Sequence, residues 1–315
     1  MSASMLFDEL AAQWLREGGL PHSTLIQRRS VYNREIHPVL RGRRIEDVTA
    51  AEVRELCEAV RDRGARAVSL HVRDVIRHVF DFAALQGYSG NNPAEDVAPS
   101  SIVRFKPRER ALSSDEIRLL HELMDRTAIR PDCHLALKLL LLTLVRRSEL
   151  VKATWPEIDF EYGTWTIPPG RVKSTKPYHV YLSKQALDIL MVLKELAGGS
   201  EYILPSPRDP SCHSAPICLN QATIAISKAA RQQNIPLGQF TLYDLRRTGA
   251  AHLTEAGFNG QWIDMALAHE VVENRLKVGD RAQHAEERRH MLQEWVHREE
   301  VYNQIKDRLA STDPG

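Results

Sequence analysis

Arginine is the side chain through which this sequence first offers chemistry. In the first 112 residues every basic side chain except Lys106 is an arginine, whose planar guanidinium can fork two hydrogen bonds onto a phosphate or carboxylate. Residues 99–111 (PSSIVRFKPRERA) carry Arg104, Lys106, Arg108 and Arg110 against the single acid Glu109, with Pro99 and Pro107 breaking any periodicity. Such a segment is either a solvated connection or a contact for nucleic acid. Further on, arginine, lysine, histidine, tyrosine and glutamate gather in TLVRRSELVKATWPEIDF (143–160), GRVKSTKPYHVYLS (170–183), TLYDLRRTGAAHLTEAGF (241–258) and MALAHE (265–270). Metal chemistry at Cys212, His213 and Cys218 is not expected, because a fourth ligand at zinc spacing is missing and PSPRDPSCHSAPIC reads as a loop.

The frame that must hold these residues is large enough to bury real cores. At 315 residues, with 43% hydrophobic, 26% charged and 6% aromatic side chains, the chain is neither disordered, collagenous nor a small disulfide scaffold, and two domains are expected. A formal charge of +1 neither demands nor excludes a polyanionic partner. Four scattered cysteines (Cys57, Cys133, Cys212, Cys218) make no disulfide framework, and MSASMLFDEL lacks a basic start followed by an apolar run. A reduced, cytoplasmic protein is expected. The most apolar stretch, Leu135 to Val145, contains Lys138 and is shorter than the roughly 18 residues a membrane span needs, so it reads as a buried helix.

Helical periodicity runs from Met5 to about Ala98, in FDELAAQWL, TLIQRRSVYNREIHPVL and SLHVRDVIRHVFDFAAL, with Thr49 and Glu52 spaced as a capping box for AAEVRELCEAV. Four short helices fit this span, and the turn residues of GYSGNNPAEDVAPS end it. After the basic stretch, Ser113 or Ser114 can cap SSDEIRLLHELMDR. TWTIPPG and KPYHVYLS, separated by RVKST, read as two antiparallel strands. Helices return at SKQALDILMVLKELA, NQATIAISKAARQQ, TLYDLRRTGAAHLTEAG and NGQWIDMALA, and the last runs through AEERRHMLQEWVHREEVYNQIKDRL. The fold expected is mainly α with a small antiparallel β-sheet in the second domain: a helical domain at 1–98, a basic interdomain linker at 99–112 and a second domain at 113–315. The final helix lines up Met291, Leu292, Trp295, Val296, Tyr302, Ile305 and Leu309, a stripe that packs on its own domain or on a neighbouring protomer. Trp155, Trp165 and Trp262 fall in or beside regular elements and read as core.

In their order and spacing the four segments resemble the catalytic domain of tyrosine site-specific recombinases, the phage integrase family, and the helical region before them resembles that family's core-binding domain. The resemblance covers nearly the whole chain. It implies that Arg146 and Arg246 are the two catalytic arginines, Glu149 the supporting acid, Lys173 the β-hairpin lysine with Lys176 as its rival, and His269 the histidine that follows. Phosphodiester transfer concentrates negative charge on non-bridging oxygens, which two fixed guanidiniums can meet without a metal. A lysine beside two arginines should have a lowered pKa and could protonate the departing 5′ oxygen, while a histidine could bind the phosphate or shuttle a proton. The resemblance further implies a 3′-phosphotyrosyl intermediate, no cofactor, double-stranded DNA as partner and a homo-oligomer, a tetramer on two sites. Two domains clamping duplex DNA, with the basic stretch crossing the backbone, follow from it. Because the core-binding pattern begins at once, binding to distal arm sites is not expected.

Two positions depart from the family pattern. Where a histidine usually stands three residues before the second arginine, this chain has Tyr243, a phenol with an ordinary pKa of about 10 and so a poor base at neutral pH. Where the family's nucleophilic tyrosine is expected, in Val278, Gly279, Asp280, Arg281 ahead of Glu286 to Arg289, this chain has Gly279, which cannot form a phosphotyrosyl bond. Only Tyr302 lies after His269, within the apolar stripe. Two readings follow: a site-specific recombinase that lacks its nucleophile as written, or a catalytically silent DNA-binding accessory or regulatory protein occupying recombination sites. A helical interaction protein that never touches DNA is a third.

Overall fold

Residues Val72, Val75, Ile76, Val79, Phe80 and Ala83 recur at helical spacing and are all buried on one face of helix α5 (Arg66–Leu85). They anchor the core of the first of two compact units into which the chain divides, 1–107 and 108–315. The computed structural model describes residues 5–106, 108–171, 177–268 and 278–298, with side chains of the last segment from 284 onward.

In the first unit, α1 (Phe7–Glu17), α2 (His22–Val31), α3 (His37–Leu40) and α4 (Ala50–Asp62) surround α5 and bury Phe7, Trp14, Ile36, Ile45 and Val53. The capping box at the start of α4 is formed: the Glu52 N–H donates to Thr49 Oγ1 at 3.3 Å and the Thr49 N–H to Glu52 Oε2 at 3.0 Å. The segment expected as one helix, TLIQRRSVYNREIHPVL, instead widens into a π turn at Tyr32–Ile36 before α3. Pro38 has no N–H to give to the Arg34 carbonyl and its ring crowds that oxygen, so regular α geometry is lost just ahead of it.

The stretch expected as a linker is not uniform. Pro99–Ile102 forms a helical turn, α6, against α4 and α5, and Ile102 and Val103 are buried in the first unit. Arg108 and Arg110 belong to the second unit.

The second unit is built around the apolar helix α8 (Pro131–Thr143), which is buried on nearly every side by α9 (Arg147–Val151), α10 (Lys184–Leu196), α11 (Ile217–Gln232), α12 (Leu242–Glu255) and α14 (Val278–Arg298). Helices α7 (Ser114–Arg126) and α13 (Gly260–Ala266) complete it; Ser113 caps α7 in a capping box with Glu116. The sheet has three antiparallel strands rather than two, in the order β1 (Ile158–Asp159), β2 (Thr164–Ile167), β3 (Tyr178–Tyr181), with Trp165 opposite Val180. A strand of two residues leaves no period to read. Trp165, Ile167 and Val180 form its buried face, and Pro168, with no N–H for the ladder, stops β2.

α14 starts seven residues before the expected Ala285. Its Met291, Leu292, Trp295 and Val296 are buried in their own unit, and the Trp295 indole donates to the Leu141 carbonyl at 3.0 Å. Tyr302, Ile305 and Leu309 lie outside the described residues. Among the described residues no helix is long and apolar enough to cross a membrane.

Candidate active site

The end of α8 is set by a conformation leucine rarely adopts. Leu144 has φ of +56°, a left-handed geometry that costs a side-chain-bearing residue about 1–2 kcal/mol. Its side chain is completely buried, and burying a leucine is worth roughly 1.5–3 kcal/mol, enough to offset that strain. Room for it comes from Gly249 on α12: a Cβ there would lie 2.2 Å from Leu144 Cδ2. The turn aims Leu144's carbonyl at Arg246 and delivers Arg146 to the start of α9.

Arg146 precedes the first turn of α9. Its backbone N–H donates to Glu149 Oε2 at 2.6 Å and its Nη1 to Oε1 at 2.8 Å. Glu149 is buried while the Arg146 side chain remains 38% exposed, so the acid fixes the guanidinium from below and leaves part of it open. Arg246 comes from α12 and is almost fully buried, with Nη1 donating to the Leu144 carbonyl and Nη2 to the Leu267 carbonyl. Arg146 Nη2 reaches the Leu267 and Ala268 carbonyls, each at 3.4 Å. The last carbonyls of α13 have no helical partner of their own, and here they take guanidinium donors. Burial, followed by the neighbouring Arg146 charge, lowers the Arg246 pKa from its ordinary value. Two guanidiniums against one carboxylate leave a net positive charge suited to a phosphodiester.

Tyr178 on β3 completes the cluster: its hydroxyl donates to the Ala266 carbonyl at 2.7 Å. Burial of the oxygen raises its pKa, against the pull of Arg288, Arg246 and Arg146. Nothing in the sequence motifs singles out Tyr178, although alternation in YHVY places positions 178 and 180 on one face of the strand.

Tyr243, on α12, is 53% exposed with the Arg247 guanidinium 4.9 Å from its ring centroid. It faces solvent beside the cluster. The next residue, Asp244, is fully buried; it receives the Thr241 N–H at 2.8 Å and pairs with Arg108 at 2.9 Å. The T-x-x-D spacing before an apolar run is the capping signal that could have identified it.

Of the residues expected to form the site, Arg146, Glu149 and Arg246 come together, with Tyr243 at the edge. Lys173, Lys176 and His269 lie outside the described residues. Gly279 is the second residue of α14. The four basic residues proposed for DNA separate into two kinds. Arg104 and Lys106 are exposed, with no ion pair among the described residues, whereas Arg108 is held by Asp244 and Arg110 by Glu116 at 2.5 Å. In the loop before α11, Cys212 donates to Asp209 Oδ2 at 3.4 Å and the His213 ring lies 5.7 Å from Tyr202. Among the described residues no three His, Cys, Asp or Glu side chains converge as metal ligands.

The comparisons with known proteins fit this geometry. Residues 110–275 match the model of the phage integrase family, and residues 7–99 that of the phage integrase central domain. Prophage integrase IntA of Escherichia coli K12 is 28% identical over 263 residues, covering 84% of this chain and 62% of that protein. Prophage integrase IntZ of the same organism is 27% identical, covering 92% and 70% respectively. The chain thus spans about two thirds of the length of these relatives. Among solved structures, a lambda integrase dimer bound to a COC′ core site superposes with a TM-score of 0.67 at 19% identity, covering 90% of this chain and 77% of that one. The Tn1549 transposon integrase in complex with circular intermediate DNA superposes at 0.69 with 15% identity, covering 89% and 99%. The two family matches together take in both units and the arginine cluster, and the chain belongs to the phage integrase family of tyrosine recombinases.

Proposed function

We propose that this chain is a site-specific DNA recombinase of the integrase type, which binds attachment-type sites on double-stranded DNA and carries the strand-transfer site for integrating or excising a mobile element in the cytoplasm. The observation that carries this reading is the convergence of Arg146 and Arg246 on one carbonyl, that of Leu267, with buried Glu149 beneath Arg146. Such a pair stabilises the charge that develops on a phosphoryl group in transit. Lys173 would give its proton to the departing 5′ oxygen, His269 and Tyr243 would hydrogen-bond the phosphate, and no cofactor is needed. Arg104 and Lys106 are the cations best placed to reach backbone phosphates, and binding should weaken steeply with salt as counterions are released. Arg108 and Arg110, each paired with a carboxylate, hold the start of the second unit and are the weaker candidates for DNA contact. The relatives support a multimer on DNA: lambda integrase has been solved as a dimer on a core site and as a tetramer on a Holliday junction.

Gly279 stands where the nucleophile is expected, so the chain as written holds DNA without forming the phosphotyrosyl bond. The test is a suicide substrate of candidate attachment-site DNA, with the covalent adduct scored on a denaturing gel for the chain and for Gly279→Tyr. An adduct only with Gly279→Tyr supports the proposal in full. An adduct with the unaltered chain places the nucleophile elsewhere. Salt-sensitive binding to the sites with no adduct from either protein would leave a DNA-occupying protein and overturn the strand-transfer reading.

A further inference from the structure

The two arginines of the cluster share main-chain acceptors, and those acceptors need something to hold them. Leu267 and Ala268 follow a helix of only seven residues, and Ala268 is itself in the left-handed region at φ of +43°. A short helix does not fix the carbonyls at and just beyond its end by its own ladder. Besides the packing of α13 on α12 and α14 and the two arginines themselves, this end is tied from the sheet by Tyr178, whose hydroxyl donates to Ala266, one residue before the carbonyl that receives Arg246 and Arg146. The anchor stands on a sheet strand whose neighbour Val180 is buried opposite Trp165, and side chains on regular elements hold their position better than those on loops.

We propose that Tyr178 is a positioning residue of the strand-transfer site, its phenol pinning the C-terminal turn of α13 so that the Leu267 and Ala268 carbonyls orient both guanidiniums. The inference rests on the recombinase reading for its consequence in catalysis, though its geometric content does not need cleavage. Tyr178 touches neither DNA nor the reacting phosphorus in this account. It acts through the carbonyls, and misplacing a pair of oxyanion donors by a fraction of an ångström lowers a rate far more than it lowers binding.

The experiment has two arms. In the Gly279→Tyr protein, adding Tyr178→Phe removes one hydroxyl and keeps the ring; single-turnover cleavage of the suicide substrate should fall about 10-fold or more, with duplex affinity changed less than about 2-fold. Incorporating 4-aminophenylalanine at position 178, which restores a donor at the same reach, should recover most of the rate. In the second arm, on the unaltered chain without DNA, the Nε–H resonances of Arg146 and Arg246, assigned through Arg→Lys variants, should shift in Tyr178→Phe while those of distant arginines stay put. If Gly279→Tyr gives no adduct at all, the recombinase reading fails, and the arginine resonances still decide the positioning role. Unmoved resonances overturn the inference, as does an unchanged cleavage rate.

Discussion

Two groups of basic side chains reach into the second unit, and Arg246 in one and His121 in the other, both buried, are held in opposite ways. At the arginine cluster every donor named above meets an acceptor: Glu149 for Arg146, and the carbonyls of Leu144, Leu267 and Ala268 for the two guanidiniums. Between α7 and α8, His121 is buried beside Lys138 and His134, and neither of its ring nitrogens has a hydrogen-bond partner. The first arrangement keeps charge in the interior by surrounding it with acceptors. The second keeps the interior intact only while His121 stays neutral. Burial by itself therefore does not separate the two; what sets the arginine cluster apart is that its buried charge is partnered and that, through Arg146, it stays partly open to solvent.

The difference is sharpest in what removal does. Arg246→Ala should leave the Leu144 carbonyl without its guanidinium donor and the Leu267 carbonyl with only the longer contact from Arg146, and remove one of the two charges proposed to face the phosphate. In the Gly279→Tyr background, single-turnover cleavage is expected to drop about 10³-fold, the scale of losing an oxyanion donor, with duplex binding little affected at low salt. Arg246→Lys should recover little, because an ammonium cannot fork to two carbonyls on different segments. A rate within 10-fold of the parent would reduce Arg246 to a packing role.

A smaller effect should follow from the packing that shapes the cluster. Gly249→Ala forces a methyl group into Leu144, whose left-handed backbone leaves it little room to retreat. Overpacking of this kind costs about 2 kcal/mol, measurable as a lower urea midpoint at unchanged slope. The cleavage rate should fall with it, since Leu144 carries an acceptor of Arg246. Loss of stability with no loss of rate would separate the turn from the site.

Much of this was legible in the residues. The capping box at Thr49, a helix cap at Ser113 or Ser114, the α5 stripe and the buried α8 follow from spacing alone, because local periodicity and side-chain reach decide them. Arg146, Glu149 and Arg246 follow from motif resemblance, as does Tyr243, which the resemblance sets within the site and the structure leaves exposed at its edge. What could not be read was set by contacts distant in sequence: the Tyr178 hydroxyl on a carbonyl 88 positions away, or Arg108 and Arg110 leaving a seemingly free basic run to pair with Asp244 and Glu116. The π turn before Pro38 is invisible in the sequence because a helical hydrophobic pattern continues through it, and β1 because two residues have no pattern.

His121 offers the finest test of the contrast. Burial first, then the Lys138 and His134 charges, lower its pKa from 6.5 to about 3, while Asp125, 3.4 Å from His134, answers part of that positive field. In the unfolded chain the same imidazole takes up a proton near pH 6.5. The unfolded state therefore binds more protons between these values, so the stability His121 gives is fully present above pH 6.5 and is lost as pH falls toward 3. One unit below the unfolded pKa, at about pH 5.5, the loss should be about 1.4 kcal/mol. Melting followed by tryptophan fluorescence from pH 7.5 to 5.5 should show this decline, and His121→Leu should flatten it while leaving the pH dependence of the cleavage rate in the Gly279→Tyr protein unchanged. An identical decline in His121→Leu would mean that water or relaxation already satisfies the ring, and that the two buried groups differ less than their hydrogen bonds imply.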